Sequence, residues 1–222
     1  MNWLWIVGTF VAAYFVGSIP FGLVAGLLRG VDIRQHGSKN IGATNAGRVL
    51  GRPWFFIVLA LDALKGAACA LAGHYLAREG ADLALAGGVG AIVGHFFSIF
   101  LRFKGGKGVA AGLGVVLVLA HPPATLVPYA AFVALGVFVL TLAITRWVSA
   151  SSIMAALALP VAYGLWLGGA IGDSFYLTRL VFFALVGLAV VVKHRANISR
   201  ILAGSEPRVG QAKDAVESKA QA

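Results

Sequence analysis

Residues 32–52 read DIRQHGSKNIGATNAGRVLGR, and they lie between two apolar runs, WLWIVGTFVAAYFVGSIPFGLVAGLL at 3–28 and a second that begins at Pro53. The stretch holds Arg34, Lys39, Arg48 and Arg52, with Arg29 just before it, and four glycines. Ser38, Asn40, Thr44 and Asn45 add hydroxyl and amide groups. A loop of this composition can wrap a phosphate closely, through backbone N–H groups and cationic side chains together. A loop that only orients a chain in a membrane needs Lys and Arg. It has no need of the Gly-Ser pair or of two asparagines five residues apart.

Composition explains why such a loop is flanked by apolar runs. Hydrophobic residues make up 59% of the 222, and only 12% are charged. Soluble domains carry about 25% charged residues, so the chain reads as an integral membrane protein. Its net charge of +10 is no sign of nucleic acid, because a chain that keeps Lys and Arg on the cytoplasmic side of a bilayer becomes basic for that reason alone. The first apolar run has no cationic region before it and reads as a permanent span. The single Cys69 can form no internal disulfide or metal cluster and reads as packing.

A spanning helix needs about 20 mainly apolar residues. Seven segments are expected to span, at 3–28, 53–77, 83–101, 109–121, 124–144, 148–167 and 175–192. The fourth is short and draws on Gly105–Gly108 or starts below the bilayer surface. The expected fold is an all-α polytopic bundle, one domain over 1–210 with a mobile polar tail over 211–222. Cations gather in the first, third and fifth loops and in the C-terminal tail. The second loop (Arg78, Glu79, Asp82) is net negative, and the fourth, at Pro122-Pro123, is uncharged. The positive-inside rule then puts the N-terminus outside and the C-terminus in the cytoplasm, with Arg179 the one dissenting charge. In that topology the second, fourth and sixth spans begin at the cytoplasmic face. Helix N-termini carry unpaired N–H donors and partial positive charge, so three of them beside the loop cations form an anion-binding surface if they converge.

Other polar residues belong to this picture. FKGGKG at 103–108 runs directly into the fourth span; its Gly105 and Gly106 permit close backbone approach, and Lys104 and Lys107 are mobile point charges for a phosphate. It is not a Walker A loop, since GxxxxGK[ST] is absent. His194 and Asn197 lie in KHRANISR at the inner end of the last span, where His194 suits anion binding or general base work near neutral pH. Ser149, Ser151 and Ser152 open the sixth span, where capping is the default role for one of them. Asp62 and Lys65 share a face midway along the second span, a costly depth for charge, and can neutralise each other. His95 reads as a packing histidine. Ser18 and Pro20 interrupt the first span, where proline bends the helix and frees a carbonyl.

Taken in order, GSIPFG, GSKNIGATNAGR, DALKG, GHFFSIFLRFKGGKGVA and HRANISRILAGSEPR resemble the bacterial acyl-phosphate–glycerol-3-phosphate acyltransferase family. The motifs run from Gly17 to Glu206. The resemblance implies a seven-helix inner-membrane enzyme that moves a fatty acyl chain from acyl phosphate to the first hydroxyl of glycerol 3-phosphate, giving lysophosphatidic acid and phosphate in phospholipid synthesis. It implies catalytic roles for Ser38, Arg48, Lys104 and His194. Substrate binding would fall to Asn40, Gly42, Thr44, Asn45, Gly105, Gly106, Lys107, Ser151, Ser152, Asn197 and Glu206. Two positions depart from the family pattern: Lys39 stands where GSGN has glycine, and Ser98 where GHxFPxF has proline.

An acyl phosphate is already an activated mixed anhydride, so direct attack by the glycerol hydroxyl is expected, without an acyl-enzyme. The loops offer no cysteine nucleophile, and no His is followed five positions later by Asp. The proton passes to His194 or to a substrate phosphate oxygen. The second route is favoured because no carboxylate–histidine pair is visible in the cationic loops. No cofactor or metal is expected. The expected partners are acyl phosphate, glycerol 3-phosphate and the bilayer, not nucleic acid; the oligomeric state stays open, and a monomer is compatible with the sequence. The rival reading is a transporter for a phosphate ester or other anion, to which the Asp62–Lys65 pair and the broken first helix are suited. Against it stand the absence of an evident repeat and the gathering of cations at one face. A structural membrane subunit would leave both glycine-lysine loops unexplained.

Overall fold

The structure is a computed structural model describing residues 2–77, 82–120 and 128–211. These form ten α-helices and two short 3-10 turns, with no strand among the described residues. The expected loop at Pro122-Pro123, the charges of Arg78 and Glu79, and the tail beyond residue 211 lie outside them.

Five stretches are long and apolar enough to cross a bilayer: Trp3–Leu28, Arg52–Tyr75, Leu83–Leu101, Val148–Leu167 and Ser174–Lys193. The first is broken, as Pro20 predicts. Helix α1 (Asn2–Ser18) stops two residues before α2 (Phe21–Leu28). The second is α4 (Arg52–Tyr75), with Pro53 in its first turn, where a missing N–H costs nothing. The third is α5 (Leu83–Phe96), followed by a 3-10 turn at Ile99–Leu101. The last two are α8 (Val148–Leu167) and α9 (Ser174–Lys193). The expected spans at 109–121 and 124–144 correspond to α6 (Val109–Leu119) and α7 (Tyr129–Thr145), which are shorter. At 1.5 Å per residue α6 covers only about 16 Å, and the GGKG segment before it folds back onto the end of α5, with Gly106 N–H donating to the His95 carbonyl at 3.0 Å. Two amphipathic helices are not evident from the sequence, α3 (Ala43–Leu50) inside the first loop and α10 (Arg195–Leu202) after α9.

Helix α1 packs along α5, and α4 packs on both α5 and α6, while α7, α8 and α9 form a second layer. Lipid offers no hydrophobic gain for bringing helices together, so close backbone contact has to supply the cohesion. Glycine makes that contact possible here. A methyl group added at Gly94 would overlap the Tyr14 carbonyl, and one at Gly114 the Ala63 carbonyl. Larger side chains fill the seam between the layers, where Tyr163 and Phe183 meet edge to face at 5.0 Å.

Helix breaks inside a membrane protein leave backbone groups that must find partners. Here they find side chains. Lys65 Nζ donates to the Ile19 carbonyl at 2.7 Å, and Ser98 Oγ to the Ser18 carbonyl at 2.6 Å. Tyr14 OH donates to the Phe97 carbonyl at 2.8 Å, and Lys193 Nζ to the Phe96 carbonyl at 2.8 Å. Ser98, where the family pattern has proline, thus ties the end of α5 to the break in the first helix.

The dissenting cation is also accounted for. Arg179 makes a forked pair with Asp82, Nε to Oδ2 at 2.9 Å and Nη2 to Oδ1 at 3.2 Å, and donates to the Leu119 carbonyl at 3.3 Å. Asp82 also caps α5 by accepting from Leu85 N–H at 3.0 Å. One ion pair therefore closes the ends of α5, α6 and α9 remote from the cationic loops. Asp82→Asn is expected to cost about 2 kcal/mol by leaving a largely buried guanidinium half-paired. Thermal melting in detergent reads this out, and the Asp82→Leu/Arg179→Leu double variant should lose less than the two single variants added together.

The second departure, Lys39, sits at φ +58°. An L-residue in that left-handed region is strained by about 1 kcal/mol, and glycine is not. The turn therefore explains why glycine is the family choice there. Lys39→Gly is expected to raise stability by about 0.5 kcal/mol, after the extra freedom of glycine in the unfolded chain is subtracted. A lower melting temperature would show that the Lys39 stem contributes more than its backbone costs.

Candidate active site

The polar residues singled out in the sequence separate into two groups. One shapes the loops, and the other converges on a buried carboxylate. In the first loop Asn45 is almost fully buried and spends its amide on the loop itself. Its Nδ2 donates to the Ile33 carbonyl at 2.8 Å and the His36 carbonyl at 3.2 Å, while Oδ1 accepts from Ser38 N–H at 2.8 Å. Asn40 Oδ1 accepts from Gly42 N–H at 2.9 Å, turning the chain into α3. Arg34 is drawn onto Asp32 at 2.7 Å and holds that carboxyl down at about 2, which takes one loop cation out of contention for a ligand. Ser38 is exposed and Thr44 half-buried, and neither hydroxyl bonds a described residue. Helix α3 packs on α4 and carries Arg48 away from the loop tip.

Arg48 is carried toward Glu206, which the sequence placed at the tail of the site and the structure places at its centre. Glu206 is 5% exposed. Its Oε1 accepts from Ser149 Oγ at 2.6 Å and Asn197 Nδ2 at 2.6 Å, and its Oε2 from Arg200 Nε at 2.7 Å. Burial works against the charge, but these three donors outweigh it and hold the carboxyl below the usual glutamate range. Asn197 uses its other end as well, since its Oδ1 accepts from Lys107 Nζ. A continuous chain, Lys107–Asn197–Glu206–Ser149, therefore joins the segment before α6, the helix α10 and the first turn of α8. The segment after α10 is held in place by Trp147 Nε1, which donates to the Glu206 carbonyl at 3.1 Å, and by Arg146, which donates to the Val209 carbonyl at 2.6 Å.

The electrostatics favour an anion. Arg48, Lys107 and Arg200 all act on one another and on Glu206, so three cations face one carboxylate. The surplus matches the roughly two negative charges of a phosphate monoester. Burial, with Arg200 and Arg48 beside it, lowers the Lys107 amine to about 8 despite the attraction of Glu206. Burial likewise pushes Arg48 below the ordinary arginine value. Gly108 and Trp147 hold the N-cap positions of α6 and α8, neither with a side-chain cap bond, so the first N–H groups of both helices remain available to a ligand. The N-termini of α6 and α8 are thus linked through this chain.

The serines behave differently from the capping expectation. Ser151 Oγ donates to the Trp147 carbonyl at 2.9 Å and Ser152 Oγ to the Val148 carbonyl at 2.8 Å, each one turn back on α8. Ser149 turns to Glu206. None caps the helix, because Trp147 occupies that position. His194 is buried at the junction of α9 and α10, with Nδ1 2.8 Å from the Val190 carbonyl. A carbonyl only accepts, so Nδ1 carries the hydrogen and Nε2 presents a lone pair. Burial, with Lys107 nearby, lowers His194 to about 4. Gly105 and Gly106 form the turn under Lys107, while Lys104 is exposed, with no hydrogen bond from its amine to a described residue. Ser149 and Arg200 were not among the residues expected to bind substrate. The signal for Arg200 was its place six residues before an acid in a strongly basic segment. No groups of three or more His, Cys, Asp or Glu suited to a metal occur among the described residues.

Comparison with known proteins places this geometry in a family. The family described as Glycerol-3-phosphate acyltransferase matches residues 7–204. The glycerol-3-phosphate acyltransferase of Desulforudis audaxviator is 44% identical over 198 residues, covering 88% of this chain and 91% of that one. Its counterpart in Brucella anthropi is 39% identical over 208 residues, covering 93% and 94%. Among solved structures, the chain is similar to PlsY (YgiH), an integral membrane glycerol 3-phosphate acyltransferase. The glycerol 3-phosphate form gives a TM-score of 0.79 at 35% identity, covering 92% of this chain and 96% of that one. The lysophosphatidic acid form gives 0.77 at 34%, covering 92% and 95%. With the family match running over residues 7–204 and a relative 44% identical over 198 residues, the chain belongs to the glycerol-3-phosphate acyltransferase family.

Proposed function

We propose that this chain transfers a fatty acyl group from acyl phosphate to the sn-1 hydroxyl of glycerol 3-phosphate, yielding lysophosphatidic acid and inorganic phosphate. The observation that carries the reading is the half-buried cluster in which Arg48, Lys107 and Arg200 surround the buried Glu206 and Asn197. The acceptor phosphate binds there. Ser38 and Lys104, exposed on the first and third loops, reach the phosphate of the donor. The hydroxyl oxygen attacks the acyl carbonyl carbon, the bond from that carbon to the bridging phosphate oxygen breaks, and phosphate leaves. Cations that hold both phosphates supply orientation and charge stabilisation in a site already assembled.

The proton goes to a phosphate oxygen. His194 at about 4 is the weaker acceptor beside a phosphate whose second pKa is about 6. His194 instead orients the hydroxyl through its Nε2 lone pair. His194→Ala is therefore expected to lower turnover about tenfold with no change in the acid side of the pH profile between pH 5 and 7. Steady-state phosphate release measures this, and loss in the variant of an acid limb present in the parent would assign His194 as the base. On the alkaline side the binding form of Lys107 is the protonated one. Activity should fall as pH rises through about 8, and a parent profile flat to pH 10 would remove Lys107 from phosphate binding.

The membrane arrangement belongs to the same proposal. Seven spans in one domain over 1–210, with α6 and α7 completing the five longer ones, put the N-terminus outside. The cluster and C-terminus then face the cytoplasm of a bacterial inner membrane, where glycerol 3-phosphate and the Lys/Arg-rich loops lie. The test of the reaction is phosphate release by the purified protein in detergent from palmitoyl phosphate and glycerol 3-phosphate, with palmitoyl-CoA as a second donor. Release that requires both substrates and fails with the CoA donor is the expected result. No acyl transfer from either donor would sink the reading.

A further inference from the structure

A group of three titratable side chains, Asp62, Lys65 and His95, lies inside the bundle and outside the cluster. Lys65 Nζ is 2.7 Å from Asp62 Oδ1 on α4, and His95, in the last turn of α5, places Nδ1 3.8 Å from the same oxygen. All three are at most 5% exposed, and His95 Nδ1 has no hydrogen-bond partner among the described residues. Charge at this depth is expensive, and an ion pair kept for cohesion alone is often matched or bettered by apolar packing. What the group touches gives it a use. At one end Lys65 donates to the Ile19 carbonyl, where Pro20 breaks the first helix. At the other end His95 forms the floor of the glycine-lysine turn. Its carbonyl accepts from Gly106 N–H at 3.0 Å, and the neighbouring Phe96 carbonyl accepts from Gly105 N–H at 3.2 Å. The ring lies so close under Gly106 that an added Cβ would overlap Nε2. The next residue is Lys107, whose amine reaches Asn197.

We propose that Asp62, Lys65 and His95 are positioning residues for acyl transfer: together they set the height and direction of the Lys104–Lys107 turn, so that the Lys107 amine meets the acceptor phosphate. None of the three touches the reacting atoms. The inference rests on the acyltransfer reading above. A shift of about 1 Å in such a group is enough to cost up to a hundredfold in rate.

The test uses full-length protein in detergent and two variants, His95→Leu and the charge-neutral Asp62→Asn/Lys65→Met pair, so that one misfolded protein does not decide the matter. Melting temperature, the kcat and KM of phosphate release, and the pH dependence of Lys107 acetylation followed by mass spectrometry are read in parallel. In the parent the Lys107 amine faces Glu206, Arg200, Arg48 and His194 and titrates near 8. The expected result is a protein that melts within a few degrees of the parent. Its kcat/KM falls at least tenfold, chiefly through KM for glycerol 3-phosphate, and its Lys107 titration moves upward as the amine leaves the half-buried cluster. Unchanged kinetics, or a lower melting temperature with the Lys107 titration unmoved, would overturn the inference and leave these residues as a brace. A parent that transfers no acyl group would instead sink the functional reading, and the Lys107 titration would still decide whether the buried group positions the turn.

Discussion

The site depends on one carboxylate. Glu206 is buried, charged and surrounded by donors, and it is the point at which three segments far apart in sequence are made to agree. Ser149 brings α8, Asn197 and Arg200 bring α10, and Lys107 joins through Asn197. A buried charge of this kind has either all of its partners or a penalty of several kcal/mol. The segments therefore assemble together or not at all. The same interaction answers how three cations can gather in one place. Arg48, Lys107 and Arg200 repel one another, and Glu206 offsets part of that repulsion without cancelling the attraction for a phosphate dianion.

The bilayer supplies the second constraint. Backbone groups cannot be left unpaired in hydrocarbon, yet the first helix is broken and α5 ends in an irregular segment that leads into the glycine-rich turn. The protein resolves this by aiming side chains at freed carbonyls. Lys65 takes Ile19, Ser98 takes Ser18, and Lys193 takes Phe96. The short helix α6 follows from the same arrangement, because its N-terminus starts where the turn reaches down to His95. Away from the site, Arg179 and Asp82 do the corresponding work for the other helix ends.

The membrane class, the break at Pro20 and the five long apolar helices were legible because hydropathy and proline act locally. The membership of Lys107 and Asn197 in one polar cluster could be suspected too, since both stand in short polar runs against an apolar background. The central place of Glu206 was not. Its meaning depends on the chain after α10 folding back over α8, and nothing local in GSEPR encodes that return. Ser149 is hidden for the same reason. A serine in the first turn of a helix suggests a cap, and only the tertiary structure shows that Trp147 holds the cap position while Ser149 faces a carboxylate. The helices α3 and α10 are not legible because each is only eight residues long and mixes apolar with polar and cationic residues in a stretch that reads as loop. Asn45 is the instructive case within the first loop: its residue type suits a ligand contact, but the structure commits it to the loop backbone.

The most direct test is equilibrium binding of glycerol 3-phosphate to the purified protein and to Glu206→Gln, measured by titration calorimetry in detergent. Simple electrostatics and organised geometry predict opposite signs. If Glu206 holds Asn197, Arg200 and Lys107 in place, the isosteric neutral amide presents its NH2 where a donor now arrives, the cluster loosens, and affinity falls at least tenfold. Tighter binding in Glu206→Gln would mean that the carboxylate is only a charge opposing the ligand, and would contradict its role as the organising centre of the site.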